Sequence, residues 1–247
     1  CLKDNYAYLL HDAEADATTL IDAPEPAPIL AVLRQRGWTL DQILLTHHHN
    51  DHIGGVPRLL QQWPGAAVFA PRDDRITHAT HRVGDGDRVD AGPWQFTAIE
   101  IPGHTRSHVA FHGRGLDGTG LLFCGDTLFS LGCGRMFEGT PAQMHASLQR
   151  LAALPGETLV CCGHEYTLAN AAFAIAVDPG NTALRERAAE VRRLRLAGLP
   201  SLPVTIASER DCNPFLRCDE PAVGDAVARH AGHPLDTTVD VFAGLRR

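Results

Sequence analysis

The sequence predicts mixed α and β layers followed by a small helical domain. Three observations carry that expectation. Short β-branched or leucine-rich runs bounded by Gly, Pro and Asp recur through the first two thirds of the 247 residues, helical signals lie between several of them, and beyond about Tyr166 helical periodicity takes over. The division is placed at residues 1–167 and 168–247.

The strand runs, in order, are Tyr6 to Leu10, Thr18 to Asp22, Gln42 to Leu45, Ala67 to Ala70, Trp94 to Ile101, Val109 to His112, Leu121 to Cys124 and Thr158 to Cys161. Pro28 to Arg36 opens on Pro and closes on Gly37, as a helix does, and Val56 to Trp63 and Pro141 to Leu154 carry apolar residues at helical spacing. In the tail, Leu184, Ala188, Val191 and Leu194 form one apolar stripe, with Asn181 as N-cap and Gly198 as the stop. Arg185, Arg192, Arg193 and Arg195 fall mostly outside the stripe and read as a solvated face.

Composition narrows the function classes. With 44% hydrophobic and 21% charged residues the chain can bury a substantial core, which excludes disorder. Its longest weakly polar run, Ala171 to Val177, falls far short of the roughly 18 residues of a membrane span, so no membrane partner is expected. Lys and Arg total 22 against 29 Asp and Glu, and a net charge of -7 argues against a nucleic-acid partner. Lys3 is the lone lysine, so a site that needs a cation will use Arg. Seven cysteines, an odd number without a Cys-x-x-Cys pair, suggest a reducing, cytoplasmic setting. The sequence starts at Cys1 rather than Met, consistent with residues missing ahead of it.

The chemistry is concentrated in Thr46-His47-His48-His49-Asn50-Asp51-His52-Ile53-Gly54-Gly55, directly after a strand run. Imidazole nitrogens and a carboxylate suit borderline divalent ions. His47 and His49 can converge on one ion while Asp51 and His52 face a second, and Gly54 and Gly55 let the chain turn into the next helix. Further donors follow other strand runs: His104 after Trp94 to Ile101, Asp126 after Leu121 to Cys124, and His164 after Thr158 to Cys161. Donor-bearing loops of this kind are what a shared centre at one sheet edge requires. The count closes with His47, His49 and His104 on one ion, Asp51, His52 and His164 on the other, and Asp126 bridging. Each ion then keeps an open position, the mark of a catalytic site. Thr46, His48 and His108 read as positioning groups.

These residues resemble the metallo-β-lactamase fold superfamily, with its His-x-His-x-Asp-His motif and downstream His, Asp and His. A closer resemblance is to the glyoxalase II, or hydroxyacylglutathione hydrolase, family. It rests on Asp4-Asn5-Tyr6, Gly132-Cys133-Gly134-Arg135, Phe137-Glu138-Gly139-Thr140, Gly163-His164-Glu165-Tyr166-Thr167, Pro179-Gly180-Asn181 and Asn213-Pro214-Phe215-Leu216-Arg217. The resemblance implies an α+β fold, an αββα sandwich with a C-terminal helical domain that closes over the substrate. It also implies the same metal ligands, with Asp126 shared, and glutathione contacts at Arg135, Phe137, Tyr166 and Arg217. Arg135 stands where the family often has Lys, Phe137 where it often has Tyr, and Asp219 and Glu220 occupy the stretch where a further basic residue is common.

The implied activity is hydrolysis of S-(2-hydroxyacyl)glutathione thioesters by a monomer carrying two divalent ions, Zn first, with Fe or Mn as alternatives. Paired cations lower the pKa of a shared water from about 15.7 toward 7, and Asp51 takes or orients its proton. A glutathione persulfide dioxygenase and other hydrolases of the fold share this metal centre. The segment Gly134 to Thr140 and the helical tail resemble glyoxalase II better.

Overall fold

Side-chain alternation along a set of parallel strands sets the layout of the first of two compact units, Cys1–Glu100 with Ser107–Gly125. A computed structural model describes residues 1–246. The unit opens with β1 (Tyr8–Asp12), β2 (Ala17–Ile21), α1 (Pro26–Arg36), β3 (Gln42–Leu44), α2 (Asn50–Ile53), α3 (Val56–Gln62), β4 (Ala67–Pro71) and β5 (His81–Val83). The strands form one sheet in the order β1-β2-β3-β4-β5, with β1 antiparallel to β2 and the rest parallel.

Leu20, Ile43 and Val68 lie in register across β2, β3 and β4 and face a core that also holds Ile29, Leu30 and Leu33 of α1 and Val56 and Leu59 of α3. The next residues along the strands, Ile21 and Leu44, are also buried and point to the opposite face. Burial on both faces is what a parallel sheet imposes. Helix α1 ends on Gly37 in the left-handed region, whose N–H reaches back to Arg34 and Leu33, as the sequence predicts, but it starts at Pro26, two residues before the expected Pro28.

Four further strands, β6 (Arg88–Ala91), β7 (Trp94–Glu100), β8 (Val109–Arg114) and β9 (Gly120–Gly125), run antiparallel to their neighbours in this unit. Phe96, Phe111 and Phe123 fill their inner face, Phe96 edge-on to Phe123 at 5.8 Å. Tyr8 packs on Phe123 at 5.4 Å, and the N–H of Val109 donates to the Thr46 carbonyl, so the two sets of strands meet within the unit.

The second unit comprises Ile101–Arg106 and Asp126–Arg247. Its elements are β10 (Leu128–Phe129), β11 (Gly132–Cys133), α4 (Pro141–Ala152), β12 (Leu159–Cys162), α5 (Thr167–Val177), α6 (Thr182–Leu196), β13 (Val204–Thr205), α7 (Ile206–Cys212), α8 (Pro221–Ala231) and α9 (Thr238–Leu245). β10 pairs with β11, and β12 with β13, both antiparallel. Thr140 and Gln143 form a capping box at the start of α4, which accounts structurally for the Thr in Phe137-Glu138-Gly139-Thr140. In α6 the Asn181 side chain accepts from Leu184 N–H, Leu184 and Val191 are buried, and Arg185, Arg192 and Arg193 are exposed, as expected. Gly198 lies one residue past the C-cap, at φ +71°.

The strands β5, β6, β10, β11 and β13, and the one-turn helix α2, are additions to the sequence reading. Each spans four residues or fewer, too short for a period to declare itself. The expectation for Gly54 and Gly55 needs correcting: both have ordinary helical φ, -60° and -79°. Their value is steric, because a Cβ would lie 3.1 Å from the Pro24 carbonyl at Gly54 and 3.0 Å from the Ala23 carbonyl at Gly55.

Ile43 is fully buried in the middle strand of the parallel set, in register with Leu20 and Val68. Ile43→Ala is expected to cost about 2–5 kcal/mol, read as a lower denaturation midpoint in urea.

Candidate metal centre

Parallel strands bring their C-terminal ends to one edge, and in the first unit that edge carries Asp22 after β2 and Thr46 to His49 after β3. Asp22 is buried and holds a left-handed backbone, φ +54°. Its Oδ1 accepts from Thr46 N–H at 2.9 Å, and its Oδ2 accepts from Thr46 Oγ1 at 2.9 Å and His52 Nδ1 at 2.8 Å. The backbone joins in: Ala23 N–H donates to the His52 carbonyl and Gly55 N–H to the Ala23 carbonyl, both at 2.7 Å. The segment after β2 therefore fixes both ends of the histidine-rich turn.

These bonds set the tautomers. A carboxylate only accepts, so His52 carries its proton on Nδ1 and presents a lone pair at Nε2. Thr46 Oγ1 gives its hydrogen to Asp22, so it accepts from His47 Nδ1 at 3.0 Å and leaves His47 Nε2 as the donor atom. His47 Nε2 lies 3.1 Å from His49 Nδ1. Tetrahedral nitrogen ligands 2.0–2.1 Å from a zinc ion lie roughly 3.3 Å apart, so this pair fits one divalent ion. Asp51 is held by Asn5, whose Nδ2 donates to its carbonyl at 3.0 Å and its Oδ2 at 3.1 Å, and that Oδ2 is 3.8 Å from His52 Nε2. His108 is buried and stacks on His47 at 4.5 Å. His48 sits 3.6 Å from Asp73, whose carboxyl the Arg75 guanidinium holds well below the usual carboxylate range.

The second unit presents the other donors. His104 donates through Nδ1 to the carbonyl of Arg135 at 2.7 Å, which again leaves Nε2. Asp126 Oδ2 lies 3.5 Å from His104 Nε2 and 3.3 Å from His164 Nε2, so one carboxylate oxygen stands beside the ring nitrogens of two histidines. Gly134 makes this approach possible, since a Cβ there would collide with the Asp126 backbone carbonyl. His104, Asp126 and His164 are all buried.

The substrate-binding candidates divide by environment. Tyr166, 38% exposed, stacks on His164 with ring centroids 4.6 Å apart, and Phe137, 64% exposed, stands edge-on to His104 at 5.3 Å. Arg135 is exposed at its side chain, and its carbonyl is the one that orients His104. Arg217 is half-buried, with its guanidinium 3.5 Å from Asp178 and 3.9 Å from Glu220.

Sequence reasoning missed Asp22 as the acceptor that orients the histidine-rich turn, and it quoted Asn5 only as part of a motif. Asp22 had a signal: it ends a strand run that the parallel sheet places beside the one preceding Thr46. The Arg135 carbonyl has none, because backbone groups are the same in every residue.

The metallo-beta-lactamase superfamily model matches residues 4–164, and the model of the hydroxyacylglutathione hydrolase C-terminus matches residues 165–247. The hydroxyacylglutathione hydrolase of Xanthomonas axonopodis pv. citri (strain 306) is 53% identical over 244 residues, covering 99% of this chain and 93% of that protein. This chain belongs to the hydroxyacylglutathione hydrolase family. A second member, from Xylella fastidiosa (strain M23), is 52% identical over 243 residues, covering 98% of this chain and 92% of that protein. Among solved structures, ETHE1 from Myxococcus xanthus is similar with a TM-score of 0.64 and 26% identity, covering 98% of this chain and 93% of that one. TTHA1623, solved in a di-iron-bound form, is similar at 0.61 and 26%, covering 86% and 95%. The family carries the expected metallo-β-lactamase fold with a helical C-terminal region, and its metal-dependent hydrolase chemistry suits the His and Asp donors of this chain.

In this family member the described cysteines are free thiols with little exposure. Six are buried and Cys1 is half-buried, and burial pushes the Cys133 thiol up to about 12. Iodoacetamide at pH 7.5 is expected to leave turnover unchanged, with mass spectrometry showing Cys133 unmodified in the folded protein. Asp22→Ala frees the His52 and His47 rings and is expected to lower metal affinity about 10–100-fold, measured by elemental analysis after dialysis against a graded chelator series.

Proposed function

We propose that this chain hydrolyses S-(2-hydroxyacyl)glutathione thioesters, taking S-D-lactoylglutathione to glutathione and D-lactate in methylglyoxal detoxification. The observation that carries the reading is the 53% identity to a hydroxyacylglutathione hydrolase across 99% of the chain, helical tail included. On this reading residues 1–167 form the catalytic domain and 168–247 the substrate-binding domain of a cytoplasmic monomer. Among the described residues, no helix is long and apolar enough to cross a membrane.

The metal ligands proposed are His47, His49, His104 and Asp126 for one ion, and Asp51, His52, His164 and Asp126 for the other. The tautomers support this, since His47, His52 and His104 all give their Nδ1 proton to a protein oxygen and offer Nε2. The nitrogen and oxygen donor set suits Zn, with Fe or Mn able to take the same ligands. When bound, the two ions supply an activated water and positive charge for the developing oxyanion.

The chain's own residues do the rest. Asp51, held at Oδ2 by Asn5, takes or orients the proton of the attacking water. The leaving group is a thiolate whose conjugate thiol has a pKa near 8.5, so it departs without a dedicated acid. Tyr166 and Phe137 offer exposed aromatic surface beside donor histidines, where the acyl and cysteinyl parts of the substrate would lie. Arg135 and Arg217 are the proposed carboxylate anchors. For Arg217 the substrate must compete with Asp178 and Glu220, so its contribution belongs to binding.

The test is thiol release from S-D-lactoylglutathione by metal-replete protein, beside a chelator-treated sample. Chelation and His49→Ala are each expected to abolish most turnover, by about 100-fold or more. Arg217→Ala is expected to raise KM about tenfold with kcat little changed. A metal-replete protein that releases no thiol but consumes oxygen with glutathione persulfide would move the assignment to a persulfide dioxygenase.

A further inference from the structure

The link between Asp126 and Arg135 is a tight turn that three side chains of the helical tail hold. Between β10 and β11, Leu131 adopts φ +59°, a left-handed conformation that an ordinary side chain resists. Its side chain is fully buried among Ala171, Ala174, Leu184 and Cys212. Polar side chains of the tail grip the turn around it. Glu209 accepts from Ser130 Oγ, from Leu131 N–H and from Asn213 Nδ2, at 2.8, 2.8 and 2.9 Å. Asn213 also donates to the carbonyls of Phe129 and Gly132, at 3.1 and 2.9 Å, and Asn170 donates to the Ser130 carbonyl at 3.0 Å.

Glu209 is an improbable choice unless it has such work. It is fully buried, and burial pushes its carboxyl up from the ordinary value while the three donors and the charge of Arg187 pull it back. An apolar residue would fill the space without that cost but would strand the Leu131 N–H. The turn it grips runs from Asp126, the shared carboxylate, to Arg135, whose carbonyl fixes the tautomer of His104. Gly134 N–H also donates to the Thr127 carbonyl, so the two ends of the turn are tied together.

We infer that Glu209, with Asn170 and Asn213, is a positioning residue for the metal centre: through the 129–132 turn it sets where Asp126 and the Arg135 carbonyl stand. The helical tail then has a second role besides binding substrate. This rests on the proposed assignment of Asp126 and His104 as ligands.

The experiment compares Glu209→Leu with Glu209→Gln, each checked for folding by circular dichroism and thermal melting. The amide oxygen of Gln can still accept from Leu131 and Asn213, while its NH2 donates to a Ser130 hydroxyl that is free to rotate. Glu209→Gln is therefore expected to stay within about threefold of wild type in metal affinity, by chelator competition, and in kcat. Glu209→Leu is expected to lose about tenfold or more in the affinity for at least one ion and in kcat, with KM within twofold. The visible spectrum of the cobalt-loaded protein is expected to change in Glu209→Leu alone. If Glu209→Leu does not fold, the double variant Ser130→Ala/Asn170→Ala is held to the same criterion. A folded variant with wild-type metal affinity, cobalt spectrum and kcat overturns the inference, as does a Glu209→Gln as impaired as Glu209→Leu. Wild type run in parallel separates the two levels. If it binds no metal, the assignment of the ligands falls; if it is normal and the variants match it, only the role of Glu209 falls.

Discussion

The Asp22 carboxylate is the interaction on which the histidine-rich turn depends. It sits at the end of β2 with all three of its short contacts coming from groups that can only donate to it: a backbone N–H, a hydroxyl and an imidazole N–H. Remove it, and Thr46 loses the acceptor that points its hydroxyl, His47 loses the acceptor that depends on that hydroxyl, and His52 loses its tautomer. One buried carboxylate thus decides the chemistry of two ring nitrogens in the turn that follows another strand. The cost of burying that charge is offset by its donors, and a left-handed backbone at a residue other than Gly is tolerated for the same reason.

The same logic recurs in the second unit with different groups. His104 is oriented by a backbone carbonyl rather than by a carboxylate, so the geometry of that carbonyl must be maintained by whatever holds Arg135. A loop could not do this by itself, because a short hairpin with a left-handed Leu has little internal stability. The side chains of Asn170, Glu209 and Asn213, drawn from α5, α7 and the end of α7, supply the rigidity. Leu131 adds apolar anchoring in the cluster with Ala171 and Leu184.

What the sequence made legible follows from what has a period or a distinctive side chain. The strands with several apolar residues and the helices with caps were readable: Gly37 and Asn181 act as the end signals they look like. The candidate donors stood out because histidine, aspartate and their spacing after strand runs are rare in combination. β5 and β6 were not readable: β5 spans three residues with His81 and Arg82 exposed, and the alternation of β6, with Val89 and Ala91 buried between exposed Arg88 and Asp90, covers only four residues. α2 was hidden because its four residues, Asn50–Ile53, make a single turn, too short to show a helical face. Glu209 was unreadable as a core residue, since a carboxylate is normally a surface group and only its three donors make the burial sensible.

The unused cysteines complete the argument about the ions. Thiolates would draw soft metals and close a coordination sphere, and this chain has thiols in abundance close in sequence to its donors: Cys124 before Asp126, and Cys161 and Cys162 before His164. All three are buried, and burial pushes the Cys161 thiol up to about 12 and that of Cys162 up as well, so these two are held as thiols in the folded chain. The donors proposed for the ions are imidazole nitrogen and carboxylate oxygen. That set favours borderline ions which exchange water readily and keep an open position for substrate, as hydrolysis requires and a structural thiolate site does not allow.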